Sequence, residues 1–216
     1  MTHFKIDIIS DTVCPWCYVG HKRLTRAITQ HQRTHPNDTF TTTWHPFYLD
    51  PTAPTPGEDK QARYERRFGA SRMAMMNQRL AQLGRQEGIA FKFGGKTGNT
   101  RDSHRLVALG GAKGPGVQTR VVEELFRAYF ENEQDITDAN VLREAAVRAG
   151  LEEGEVKAWL EGGKGGKEVD REVQEAQARF VSGVPHFTIN GKWEIGGAED
   201  AESFLEVFEE VKRAER

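Results

Sequence analysis

The 216-residue sequence predicts an α/β fold interrupted by a large all-helical insertion. Three observations carry that prediction. A β-α-β pattern fills roughly the first 50 residues, a helix-hairpin-helix pattern closes the chain, and the stretch between them keeps helical spacing.

Phe4, Ile6 and Ile8 alternate with Lys5 and Asp7, the period of a strand, and Ser10-Asp11-Thr12 breaks it. Cys14-Pro15-Trp16-Cys17 follows, and Leu24, Ala27, Ile28 and His31 continue at helical spacing. Pro15 suits a first helical turn, where its missing N–H costs nothing. Phe40, Thr42 and Trp44 alternate again and stop near Pro46.

Within the insertion, Met76, Leu80 and Leu83 form one apolar stripe, Leu106 and Leu109 a second, and Val121, Val122, Leu125, Phe126 and Tyr129 a third. Thr137 is the expected N-cap of a helix that carries Val141, Leu142 and Ala145 and ends at Gly150. Leu151 to Leu160 is a further short helix. The glycines from 162 to 166 read as a loop, and Val169, Val173, Ala176 and Phe180 as a last helix. Phe187 and Ile189, then Asn190-Gly191, then Trp193 and Ile195 signal a two-residue hairpin. Phe204, Leu205, Phe208 and Val211 stripe the closing helix. The expected organisation is one discontinuous domain, residues 1–54 with 166–216, enclosing a helical lobe at 55–165.

Hydrophobic residues at 37% and charged residues at 29% give a water-soluble balance. A net charge of −2 supplies no global field for nucleic acid or an anionic membrane, so neither partner is expected. No stretch approaches the ~20 apolar residues of a bilayer span, and the amino end lacks the apolar run of a signal peptide. A cytoplasmic location is the resulting expectation. Composition says nothing of oligomeric state. Arg63, Arg66 and Arg67 read as the wet face of a helix, and Met73, Met75 and Met76 as helix packing. Gly95-Lys96-Thr97 and Gly166-Lys167 resemble the ends of phosphate loops. However, Ala90 stands where the first needs glycine and Glu168 where the second needs Ser or Thr, so both read as flexible loops.

The chemistry is expected at the only two cysteines, which sit three positions apart. A structural disulfide stabilises mainly by closing a long loop, and this one is too short to gain much. Reactivity is the better reason for the pair. The thiolate is the attacking species, and a helix N-terminus favours it through unpaired N–H groups and partial positive charge. Cys14 is then the exposed attacking thiol, and Cys17, one turn on, the more buried resolving thiol. Zinc is the competing use, with His21 as third ligand. A second Cys or His pair at ribbon spacing is missing, and His31, His35 and His45 are scattered. No metal and no tightly bound cofactor are expected.

Cys14-Pro15-Trp16-Cys17 after a strand, the helical insertion, and Gly183-Val184-Pro185 before the hairpin together resemble the DsbA-like thioredoxin family. Closer still is its cytoplasmic FrnE-like branch, related to 2-hydroxychromene-2-carboxylate isomerase and kappa-class glutathione transferase. The stretch from Ser10 to Gly20 and that from Gly98 to Leu106 carry the closer likeness. The resemblance implies a thioredoxin fold and disulfide exchange on protein or small-thiol disulfides, with Cys14 and Cys17 as redox pair. Pro15 and Trp16 would border the substrate. A cis Val184–Pro185 bond, a form taken by only ~5–6% of X–Pro bonds, would present the Val184 backbone to an extended substrate. Asn99, Thr100 and His104 would face the site from the insertion. Against this, Asn99 and Thr100 suit a helix cap and His104 a satisfied interior histidine.

Glutathione is the implied co-substrate. Its use in an isomerase or transferase is the leading alternative, with Ala198 to Asp200 at the last helix start holding its carboxylate, although Glu199 and Asp200 count against an anion there. A non-enzymatic redox-sensing or chaperone-like module is the second alternative. Trp16 stands where secreted DsbA oxidases carry histidine, which implies a weaker oxidant than the DsbA poise of about −120 mV.

Overall fold

The computed structural model describes residues 1–179 and 181–215. The chain opens with β1 (His3–Ser10), α1 (Pro15–Thr34) and β2 (Thr39–Pro46). The intervening segment holds β3 (Glu58–Asp59), α2 (Lys60–Phe68), α3 (Ala70–Glu87), β4 (Lys96–Thr97), α4 (Arg101–Ala112), α5 (Pro115–Phe126), α6 (Ala139–Arg148) and α7 (Glu153–Glu161). A π-helical turn, Arg127–Glu131, extends α5. Then come α8 (Gly166–Ala178), β5 (His186–Ile189), β6 (Trp193–Gly196) and α9 (Ala201–Ala214).

The main sheet has the order β2-β1-β5-β6. β2 runs parallel to β1 with Phe40 opposite Phe4 and Trp44 opposite Ile8. A parallel pair needs a crossover, and α1 supplies it. β5 lies antiparallel on the other side of β1, placing Phe187 opposite Ile8. Strand alternation buries Phe4, Ile6 and Ile8 almost completely. Asn190 and Gly191 adopt φ of 48° and 68°, the left-handed pair that a two-residue hairpin turn requires. α1 packs against α9, while α4, α5 and α8 pack on β2. One hydrophobic cluster runs from the sheet into α4, α5 and α6, so the insertion shares its core with the rest of the chain.

Several local expectations are corrected. The cap of α6 is Asp138, whose side chain accepts the Asn140 N–H at 2.8 Å. Thr137 instead accepts the Gly57 N–H at 2.8 Å and donates to Asp135 at 2.6 Å. Lys96 and Thr97 are no loop but β4, which pairs with Asp59 and Glu58 and adds a two-stranded ladder to the helical segment. Gly166 and Lys167 open α8. Of the expected α8 stripe, Val169, Val173 and Ala176 are buried, and Phe180 lies outside the described residues. Among the described residues, no helix is long and apolar enough to cross a membrane.

Candidate active site

β1 delivers the chain to a three-residue turn, and Cys14 follows as the N-cap of α1 in extended conformation. Its N–H donates to the Asp11 carbonyl at 3.0 Å, and its own carbonyl accepts the Cys17 N–H at 3.1 Å. Pro15 takes the first helical position, where no N–H is needed. Both cysteines are free thiols. The expected exposed Cys14 is corrected: it is 3% exposed and Cys17 1%. What separates them is that Cys14 borders a cavity and Cys17 is not among its lining residues. The Cys17 thiol is pushed well above the usual range, by burial first and then by its hydrogen bond to Cys14 and the Cys14 charge. Hydrogen bonds from Ser10 and Asp11 offset this only in part.

The Val184–Pro185 bond is cis, and the Cys14 thiol donates to the Val184 carbonyl at 3.5 Å. Pro185 is buried and presses back on α1 at Gly20. A Cβ there would stand 3.1 Å from Pro185 Cγ and 3.0 Å from Phe187 Cζ, so a glycine lets the proline loop approach the helix.

The cavity, of about 340 Å³, has Cys14, Pro15, Trp16 and Val184 on one side. Met73, Met76 and Leu80 of α3 line it, so two of the methionines expected only to pack helices border the site. Trp16 is half-buried with the Arg79 guanidinium 5.9 Å above its ring. Lys60, Tyr129 and Thr97 supply polar lining. The Tyr129 hydroxyl donates to Thr97 Oγ1 at 2.8 Å, and the Tyr64 hydroxyl sits 3.1 Å away. Burial holds the Tyr129 hydroxyl well above its ordinary value. The Lys60 ammonium donates to the Tyr129 carbonyl at 3.1 Å and lies 3.7 Å from that ring's centroid. Burial lowers it from 10.5 to about 8. Arg63 and Arg67 also border the cavity, yet both are held by Asp50, at 2.6 and 2.9 Å.

Of the insertion residues expected to face the site, Thr100 lines the cavity, whereas Asn99 and His104 are not among its lining residues. Asn99 Oδ1 accepts the Arg101 N–H at 2.9 Å, as a cap does. His104 is 4% exposed, with Nε2 lying 3.0 Å from the Phe47 carbonyl and 3.3 Å from Asp11 Oδ1. Ser103 Oγ meets Thr12 Oγ1 at 2.7 Å. The first turn of α4 therefore braces the turn that presents Cys14. His21 is engaged elsewhere, its Nε2 2.8 Å from Glu123 and its ring edge-on to Trp44. At the start of α9, Asp200 and the Ala198 carbonyl already hold the Arg23 guanidinium, at 3.0 and 2.7 Å. Sequence reasoning missed Lys60, Tyr129, Thr97, Ser103 and the Asp11 carboxylate. Only Asp11 and Ser103 carried a signal, since both lie inside the two stretches that bear the family likeness.

A family model for the DSBA-like thioredoxin domain matches residues 5–209. No curated protein sequence matches. Among solved structures, a probable DsbA oxidoreductase from Streptomyces coelicolor is similar, with 27% identity, a TM-score of 0.85, and coverage of 95% of this chain and 88% of that one. A 2-hydroxychromene-2-carboxylate isomerase shares the fold at 14% identity, TM-score 0.72, covering 98% and 97%. The cytosolic disulfide reductase DsbM from Pseudomonas aeruginosa, solved with GSH, does so at 16% identity, TM-score 0.60, covering 94% and 98%.

Proposed function

The chain belongs to the DsbA-like thioredoxin family, and on that premise we propose that it is a thiol–disulfide oxidoreductase working through Cys14 and Cys17. In the reducing direction, the Cys14 thiolate attacks one sulfur of a protein or small-molecule disulfide and expels the other as thiolate. Cys17 then attacks Cys14 Sγ, closing the Cys14–Cys17 disulfide and releasing the second substrate thiol. The substrate gains the two electrons that the cysteine pair loses. Run backwards, the same steps oxidise a dithiol.

The observation that carries the reading is the asymmetry of the pair. Cys14 faces the cavity beneath the Val184 carbonyl, and Cys17 is sealed behind it. The asymmetry also times the steps. Two of the causes that raise the Cys17 thiol come from Cys14, its hydrogen bond and its charge. Both vanish once Cys14 is capped in a mixed disulfide, so Cys17 ionises more readily when its attack is needed. Val184, with backbone groups beside the reacting sulfur, suits an extended substrate added alongside. Pro15 and Trp16 would border it and Thr100 would meet it from the insertion, while Asn99 and His104 would act through the turns they brace.

Glutathione is proposed as a co-substrate in a reducing cytoplasm, a reading supported by the similar fold of a cytosolic reductase solved with GSH. Cys17→Ser tests the dithiol scheme. Wild type should reduce insulin disulfides, and the variant should lose about 10²-fold or more in turnover while accumulating a mixed disulfide on Cys14 with oxidised glutathione. Unchanged turnover in the variant would reject the scheme, and glutathione-dependent isomerisation surviving in it would favour the isomerase reading.

A further inference from the structure

At the other end of α1, 20 residues or about 30 Å from its N-terminus, the fold assembles a second group that the thiol chemistry does not use. His31 lies in the last turn of the helix, His35 is its C-cap, and Glu209 reaches across from α9. One ligand atom from each lies within 4.8 Å of the others. From this geometry we propose that His31, His35 and Glu209 form a site for a divalent transition metal of the zinc type, clipping α1 to α9.

The argument rests on His31. Its ring is 2% exposed and wedged edge-on against Phe4, Phe40 and Phe208, with centroids at 5.3, 5.6 and 5.4 Å. Its Nε2 lies 2.9 Å from Asp38 Oδ2. That carboxylate is itself buried, paired with Lys212 Nζ at 2.6 Å and receiving the Thr2 N–H at 2.8 Å. An ionised carboxylate only accepts, so Nε2 carries the hydrogen. The other nitrogen, Nδ1, faces Glu209 Oε1 at 4.0 Å. A divalent cation bound there would be shared by this nitrogen, the Glu209 carboxylate and His35.

Such an arrangement, a carboxylate fixing the tautomer and orientation of a histidine whose other nitrogen is free, is the usual support behind a metal-bound imidazole. His35 stacks on His31 with centroids 4.5 Å apart and is half-exposed, and Glu209 is exposed. The two imidazole planes are within 18° of parallel, and His35 Nδ1 lies 3.0 Å from Thr34 Oγ1. Binding therefore needs His35 to swing out of the stack and Glu209 to move in until bonds of about 2.0–2.2 Å form. The helix C-terminus adds partial negative charge beside the cation. Two imidazoles and a carboxylate suit zinc, nickel or copper(II) rather than calcium or magnesium, and leave a position for water.

The cysteines would themselves take up zinc, so the test removes them. In full-length protein with Cys14→Ser and Cys17→Ser, calorimetric titration with zinc should show one equivalent bound, and zinc should raise the unfolding temperature. Adding His35→Ala or Glu209→Gln, both at solvent-reached positions, should weaken zinc binding about tenfold or more and cancel the thermal shift, leaving the metal-free unfolding temperature unchanged. Absence of saturable zinc uptake in the cysteine-free protein, or equal uptake with His35→Ala, overturns the proposal.

Discussion

Trp16 occupies the turn between the two sulfurs and brings no titratable group to them. It is half-buried, its ring borders the cavity, and the nearest cation over it is the Arg79 guanidinium at 5.9 Å from the centroid. A dithiol is a strong oxidant when its reduced form is specially stabilised, above all as a thiolate. An uncharged indole adds nothing to that stabilisation beyond what the start of α1 offers. The expected reduction potential is therefore more negative than the roughly −120 mV of a DsbA oxidase. Trp16→His should shift it toward more oxidising values by placing an ionisable donor beside Cys14. Equilibration in glutathione buffers measures both. A wild-type potential at or above about −120 mV, or no shift in the variant, contradicts this account.

The element that ties the site together is α1, which carries both sulfurs at one end and takes the pressure of the proline loop one turn further on. Gly20 sits mid-helix, where alanine would ordinarily gain about 1 kcal/mol of helix propensity. Here the added methyl would lie 3.1 Å from Pro185 Cγ and 3.0 Å from Phe187 Cζ, tighter than ordinary contact. Crowding of this kind costs about 1–3 kcal/mol. Gly20→Ala should thus fail to stabilise the protein, with a net loss of up to about 2 kcal/mol. Because the displaced proline carries Val184 beside Cys14, mixed-disulfide formation should slow as well. Urea unfolding and the rate of reaction with oxidised glutathione check the two effects, and a more stable, equally fast variant would show that the contact yields freely. Much at this scale was readable in advance. β1, α1, β2 and the hairpin announce themselves because their periodicities are local. The α6 cap was misread because Asp135 and Gly57 compete for the Thr137 hydroxyl, and Gly57 is far away in sequence.

At the scale of the molecule, the cavity was illegible because no stretch of sequence owns it. Lys60 comes from α2, Thr97 from β4, Tyr129 from the π-helical turn, and only folding makes them neighbours of Cys14. The same assembly stores a pH-dependent cost. Burial, offset only in part by the Glu133 charge, lowers the Lys60 ammonium to about 8 from 10.5. The unfolded chain then binds more protons than the folded one between those values, so this group's contribution makes stability rise with pH across about pH 8 to 10.5. The full swing is roughly 3 kcal/mol. Burial pushes the Tyr129 hydroxyl the other way, and ionisation of the tyrosines opposes the gain above about pH 10. A difference against Lys60→Met isolates the lysine. At pH 7 the variant is relieved of a buried charge and should be the more stable of the two, by about 1–3 kcal/mol. Toward pH 10 the wild-type lysine sheds its proton and the gap should close. Urea midpoints for both proteins at pH 7, 8, 9 and 10 follow it, and a gap that stays constant would mean that the ammonium keeps its water in the folded chain.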